Sequence, residues 1–139
     1  MKRILSLFTV LLLFVGCQEK QSDKQKMDAL KQLESGAYDI EYIDDKDVTP
    51  KKINLIAMLE EMQLVGNIVC NKYTTSFKLE DDFGIFVKPA GVTQAACEDQ
   101  DLEREYLERL AKVRFYAYDG EQLILKDENK KELMRGKKN

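Results

Sequence analysis

The stretch Tyr73-Thr74-Thr75-Ser76-Phe77-Lys78-Leu79-Glu80, followed at once by Asp81-Asp82 and then by Phe83-Gly84-Ile85-Phe86-Val87, limits the possible folds more than any other part of the chain. Tyr73, Thr75, Phe77 and Leu79 fall on one side of an extended strand, and Thr74, Ser76, Lys78 and Glu80 on the other. This is a period of two that a helix cannot present as one buried face. Phe83, Ile85 and Val87 repeat the alternation beyond the acidic turn, so the two runs predict a β-hairpin with one face in a core. Residues 113–118 and 121–127 repeat the arrangement, joined by Asp119-Gly120, the strongest short-range turn signal in the chain. Residues 37–43 set Tyr38, Ile40 and Tyr42 against Asp39 and Glu41, as a half-buried strand does.

Between the hairpins the period changes. Asp99 or Asp101 can cap a helix with an acidic first turn and an apolar stripe of Leu102, Tyr106, Leu110 and Val113. Residues 51–73 fit two patterns. Leu55, Met58, Leu59 and Met62 suit a helix that Thr49-Pro50 would start, whereas Ile53, Leu55 and Ala57 alternate; we read two strands with a turn at Glu60-Glu61. Residues 130–136 predict a last edge strand after a turn at Asn129, and the basic end Arg135-Gly136-Lys137-Lys138 reads as a solvated tail. Met27, Leu30 and Leu33 recur at helical spacing before Gly36 and predict a short helix. The expected architecture is α+β: a single domain of about seven or eight antiparallel strands forming a curved sheet or partly open barrel, with one main helix.

The chain's first residues point to its location. After Lys2 and Arg3, residues 4–15 are an apolar run that as a helix reaches about 18 Å, against a hydrocarbon core of about 30 Å. That run is too short to span a bilayer and has the layout of an export signal. Leu13-Phe14-Val15-Gly16-Cys17 resembles the lipobox of bacterial lipoproteins, with Phe14 where the pattern usually has Leu. The resemblance implies cleavage before Cys17 and a diacylglycerol on its thiol. The expected organisation is therefore a signal peptide at 1–16, a lipid anchor and polar tether at 17–32, and a folded domain at 33–139. Gln18 stands where an aspartate commonly retains a lipoprotein at the inner membrane. The expected location is the bacterial envelope, the outer membrane facing the periplasm in a host with two membranes.

The formal net charge is −3, and removing Lys2 and Arg3 with the leader makes it more negative, which argues against nucleic acid as a partner. The chain has no histidine, so Ser-His and Cys-His nucleophilic sites and the usual catalytic zinc sets are excluded. Acids are plentiful enough for a carboxylate pair, but Asp44-Asp45-Asp47, Glu80-Asp81-Asp82 and Glu98-Asp99-Asp101 fall in turns or at a helix start, where acids are common anyway. Asp45 and Asp47 lack the ligand spacing and glycine of an EF-hand loop. We expect no enzymatic activity, no cofactor and no metal. With Cys17 lipidated, Cys70 and Cys97 remain as a candidate disulfide, two buried thiols or a redox pair. They are not a Cys-x-x-Cys motif, and a structural crosslink is the preferred reading, worth roughly 3 to 4 kcal/mol on the chain-entropy model.

In residues 66–77 and 92–125 the chain resembles the META domain, the HslJ-like family of small bacterial envelope lipoproteins. Gly66, Cys70, Asn71 and Tyr73 match the first part of that pattern. Thr93, Ala96, Cys97, Tyr106, Leu107, Leu110, Val113, Tyr116, Gly120, Leu123 and Leu125 match the second. The resemblance runs from about residue 33 to about residue 136. The chain departs from the pattern at Val69 and Thr75, where the family commonly has glycine, and at Tyr38, where a tryptophan is expected. The resemblance implies a one-helix antiparallel β fold, an association with envelope stress, antibiotic tolerance and virulence, and no established enzymatic activity; secretin-pilot lipoproteins are similar in shape. The function expected is that of a non-enzymatic lipoprotein held to the membrane by its anchor, which binds or stabilises another envelope component: an outer-membrane protein, a hydrophobic peptide or a lipid. The alternative is an inhibitor or chaperone of an exported enzyme, in the manner of lysozyme inhibitors, or a secretin-pilot-like lipoprotein. Asn71 is read as bracing a turn by local hydrogen bonding rather than touching a ligand. Tyr38, Tyr42, Tyr73, Phe77, Phe86, Phe115 and Tyr118 either pack in the core or line a groove.

Overall fold

Each hairpin predicted from the alternation forms, and the pairings run full circle. The computed structural model describes residues 30–96 and 98–139, so Cys17, Met27 and Cys97 lie outside the described residues. The strands are β1 (Gly36–Ile43), β2 (Lys46–Asp47), β3 (Asn54–Met58), β4 (Gln63–Ile68), β5 (Asn71–Glu80), β6 (Gly84–Val87), β7 (Gly91–Val92), β8 (Phe115–Tyr118), β9 (Gln122–Lys126) and β10 (Glu132–Lys138), with one helix, α1 (Gln100–Lys112), between β7 and β8. Their order is β10-β9-β8-β6-β5-β4-β3-β1, and β10 pairs back onto β1, which closes an eight-stranded antiparallel barrel. The short strands β2 and β7 add to β1 and β5. The weakest seam is between β6 and β8, which share the single pair Gly84↔Phe115.

Three expectations are corrected. The last strand is not an edge: β10 pairs with β9 on one side and with β1 on the other. The basic end is accordingly not a solvated tail, because Ile40 pairs with Gly136 and Tyr38 with Lys138. A Cβ at Gly136 would lie 2.9 Å from the Asp39 carbonyl oxygen, so only glycine lets the two backbones approach this closely. Residues 30–34 are not helical. Of the Leu30 and Leu33 pair, only Leu33 is buried in the core, so the helical spacing has no second anchor on which to act.

The ambiguous segment resolves as β3 and β4 joined through residues 59–62, and Thr49-Pro50 starts only a single 3-10 turn, Thr49–Lys51. Inward residues pack the barrel: Tyr38, Ile43, Leu55, Tyr73, Tyr118 and Leu123 are each at most 1% exposed. Burial of side chains this size contributes about 1.5–3 kcal/mol each. Helix α1 lies across one mouth of the barrel and directs Glu103, Tyr106 and Leu110 inward. Asp99 stands at its N-cap without a side-chain capping bond, its carboxylate going to Lys51 Nζ at 2.5 Å instead. Lys46 to Glu105 at 2.5 Å and Arg109 to Asp44 at 2.8 Å fasten the rest of the helix to the rim. Among the described residues no helix is long and apolar enough to cross a membrane.

Candidate functional site

The residues singled out by the sequence meet where β4 turns into β5 beneath the N-terminal half of α1. Gly66 is paired with Tyr73 across the β4–β5 ladder, and a Cβ there would sit 2.1 Å from the Asn54 carbonyl oxygen and 2.8 Å from the Tyr73 ring. The bare glycine is therefore what lets the Tyr73 ring lie over the strand. From there the ring reaches α1, where its hydroxyl and that of Tyr106 share a hydrogen bond of 2.7 Å with the ring centroids 5.4 Å apart. Burial pushes both phenols up from their ordinary titration range.

Asn71 opens β5 and is buried. Its Nδ2 donates to Glu103 Oε2 at 2.7 Å and to the Ala95 carbonyl at 3.2 Å. Its Oδ1 accepts from Thr93 Oγ1 at 2.9 Å and from the Ala95 amide at 2.7 Å. The Asn71 side chain therefore uses its donor group and its acceptor oxygen twice each, which is all an amide offers. The local turn brace expected of Asn71 is corrected: its partners come from the β7–α1 connection and from α1, since Glu103 claims the amides of its own turn. Glu103 Oε1 accepts from Cys70 N at 3.1 Å and from Asn71 N at 2.9 Å. Thr93 Oγ1 completes the knot by accepting from Lys72 N at 3.0 Å.

Chemically this is a clamp. The Glu103 carboxylate accepts from three donors and the residue is 7% exposed, so most of its acceptor capacity is spent on the fold. Cys70 is disulfide-bonded, and Cys97, expected as its partner, lies outside the described residues. Glu103 is the member that the sequence reading passed over. The available signal was an acid three residues before Tyr106 and seven before Leu110, on the very face of the helix that must be buried.

Of the aromatic residues considered for a groove, Tyr38, Tyr73, Phe77 and Tyr118 are core. Phe86 is 41% exposed under the Arg114 guanidinium, Tyr42 lies under that of Arg135, and Phe115 faces Lys130. A surface cleft of about 540 Å³ has walls of mixed charge and polarity, with Asp39, Glu41, Lys52 and Lys137 beside Ile40 and Ile53. Among the described residues no group of three or more His, Cys, Asp or Glu side chains is placed to hold a metal ion. Two acids of the first turn have structural partners: Asp47 Oδ1 accepts from Thr49 N at 2.9 Å, and the Arg109 guanidinium holds the Asp44 carboxyl below its usual range.

Comparison with curated proteins finds no match. Two solved structures share the fold. A DUF4847 family protein from Bacteroides vulgatus is 14% identical with a TM-score of 0.56, over 76% of this chain and 93% of that one. A protein from Burkholderia xenovorans, solved by NMR, is 20% identical with a TM-score of 0.60, over 77% of this chain and 84% of that one. At such identities the likeness carries the barrel architecture alone. The family model described as META domain matches residues 31–139, which takes in the barrel, the clamp at Asn71 and Glu103, and the helix that closes the mouth; the chain belongs to the META domain family.

Proposed function

We propose that this META domain is the working part of an envelope lipoprotein and that it acts by binding or stabilising another envelope component, without catalysis. In this reading residues 1–16 are removed, Cys17 carries the lipid, and the residues after it form the tether that leads into the domain, which Lys31 and Gln32 already join through bonds to Tyr118 and Tyr116. Cys70 and Cys97 form one disulfide across the clamp. The protein sits in the outer membrane facing the periplasm. The observation that carries the reading is the junction of a lipobox-like leader with a barrel whose core is tightly buried and whose one buried carboxylate, among the described residues, holds the fold. A packed interior leaves the outer faces and the mouths as the places where a partner is met. Two or more acyl chains would hold such a domain durably on a bilayer, where one gives only marginal binding.

Intact-mass analysis of the mature protein tests the anchor: a diacylglyceryl-cysteine at Cys17 is expected, and an unmodified thiol refutes it. Non-reducing peptide mapping tests the Cys70 to Cys97 bond. Crosslinking in intact envelopes followed by affinity purification tests the binding role, and recovery of no partner together with unaltered heat and drug sensitivity on deletion refutes it. Inhibition assays on exported hydrolases distinguish this role from that of an enzyme inhibitor.

A further inference from the structure

Three tyrosine hydroxyls of the barrel converge on three consecutive residues of the segment by which the chain enters the fold. Tyr116 Oη donates to Gln32 Oε1 at 2.9 Å and accepts from Leu33 N at 3.4 Å. Tyr38 Oη donates to the Glu34 carbonyl at 2.7 Å, and Tyr118 Oη donates to Glu34 Oε2 at 3.2 Å. Lys138 Nζ is bonded to the same Glu34 carboxylate, and the Leu33 side chain is buried in the core. Lys31 N donates to the Tyr118 carbonyl at 2.6 Å. That carbonyl points to the side of β8 that β6 has left, since the Tyr116 amide two residues earlier points the same way and donates to Phe83 O at 3.0 Å. Residues 31–34 thus act as a strap that supplies the neighbour β8 lacks and closes the mouth opposite α1.

The strap is held differently from every strand of the barrel. It has one apolar anchor and one main-chain bond to the sheet, where the strands have ladders. It joins β1 through Gly36 at φ +150°, a conformation that L-residues rarely adopt. What it occupies has the character of a peptide site: a free strand edge, a hole for one aliphatic side chain, hydroxyl donors on either side and an ammonium group for a carboxylate.

We infer that this mouth is a binding site for an extended peptide, occupied in cis by residues 31–34. The envelope partner enters it as a segment of the same chemistry: an aliphatic residue preceded by an amide or acid side chain and followed by an acid. The inference rests on the binding role proposed above and names its site. In the resting protein the strap competes with the partner, so apparent affinity is reduced by the fraction of time the mouth stays closed. Because the strap continues directly into the tether, displacing it also lengthens the leash between domain and membrane.

The test uses the mature chain and a fluorescent peptide of residues 30–35. The combined variant Gln32→Gly, Leu33→Gly, Glu34→Gly empties the mouth and is expected to bind the peptide saturably. The unaltered protein is expected to bind it about tenfold more weakly or worse. A peptide carrying Leu33→Asp should bind neither. A folded variant that fails to bind, or equal binding by variant and unaltered protein, overturns the inference. If the variant does not fold, hydrogen exchange in the unaltered protein decides: exchange of the Lys31 and Leu33 amides faster than that of Leu123 supports a strap that opens by itself, and exchange only with global unfolding overturns it. A crosslinked partner recovered equally with and without the strap residues removes this site but leaves the binding role standing. Peptide binding without any recovered partner does the reverse.

Discussion

Glu103→Gln preserves the shape of the clamp while exchanging one acceptor oxygen for an amide donor. In the native protein Oε1 receives the Cys70 and Asn71 amides at 3.1 and 2.9 Å, and Oε2 receives Asn71 Nδ2 at 2.7 Å. If the remaining carbonyl keeps the two main-chain amides, the introduced amide nitrogen faces Asn71 Nδ2, donor against donor. Turning the Asn71 amide over takes Oδ1 away from Thr93 Oγ1 and Ala95 N, and sets Nδ2 against the latter. Either way one buried donor goes unsatisfied and the charge leaves all three bonds. A hydrogen bond to a charged group contributes about 1.5–3 kcal/mol and an orphaned buried donor costs about 1–3 kcal/mol. The cleft formed by Asn71, Thr93, Gln94 and Gln100 admits water beside the carboxylate, which holds the total to about 2–3 kcal/mol. For a domain of this size that is a fall in Tm of roughly 8–12 °C, with a lower urea midpoint at unchanged m. Adding Asn71→Asp offers the introduced donor an acceptor, so the double variant should recover about 1 kcal/mol relative to additivity. A Tm within about 2 °C of the parent, or strictly additive losses, would refute the clamp.

Gly66→Ala should destabilise by about 3 kcal/mol or more, read from urea melts, because its Cβ would meet the Asn54 carbonyl oxygen at 2.1 Å, inside a ladder that cannot yield. Asp44→Asn tests the pair with Arg109, whose Nε and Nη2 both meet Asp44 Oδ2, at 2.9 and 2.8 Å. Hydrogen bonds from Arg109 hold the folded carboxyl below its unfolded value of about 3.9, so the contribution is complete above about pH 4 and is lost as pH falls through the folded value. We expect a loss of about 0.5–1 kcal/mol at pH 7 that disappears as pH falls through the folded value, measured by denaturation as a function of pH. Burial raises the folded phenols of Tyr73 and Tyr106 above the unfolded value of about 10. Their contribution is therefore complete below about pH 10 and lost above it, and the tyrosinate absorbance of these two residues should rise only with the unfolding transition.

Much of the barrel was legible because alternation and turn chemistry are local. Asp119 Oδ1 accepts from the amides of Glu121 and Gln122 at 2.9 and 2.8 Å, so the Asp-Gly hairpin is written in the residues of the turn itself. Ring closure was not legible, because whether an extended segment finds a second neighbour depends on a strand roughly a hundred residues away, and nothing in residues 132–138 encodes the register of Ile40 on Gly136. The expected stripe on α1 holds at Tyr106, Leu110 and Val113, but at its start Leu102 is only half-buried while Glu103 is buried, because the helix turns its acid toward two main-chain amides that no apolar residue could satisfy. Leu33 misled for a similar reason. Its spacing to Leu30 suggests a helix, yet its burial comes from insertion between β8 and β1 as part of an extended strap. The motif residues Gly66, Asn71, Tyr73 and Thr93 lie in one region: Gly66 pairs with Tyr73, Thr93 bonds Asn71 directly, and Glu103, which the motif does not contain, ties Asn71 to α1.

The clamp also accounts for the departure at Val69. Its φ is +48°, the left-handed region in which a β-branched residue is strained by about 1–2 kcal/mol and glycine is at ease. Glycine is the residue that the resemblance leads one to expect here, and it would adopt this φ without strain. Two features make valine tolerable. Val69 packs partly against the core, which returns a contribution of the same order as the strain, and the next two amides are both held by Glu103. At Gly66 no such compensation is open, because the space a side chain would take is filled by the Asn54 carbonyl and the Tyr73 ring. The two positions lie three residues apart on one hairpin, yet only at Gly66 is glycine dictated by contact. At Val69 the requirement is one of dihedral angle alone, and packing together with the buried carboxylate offsets it.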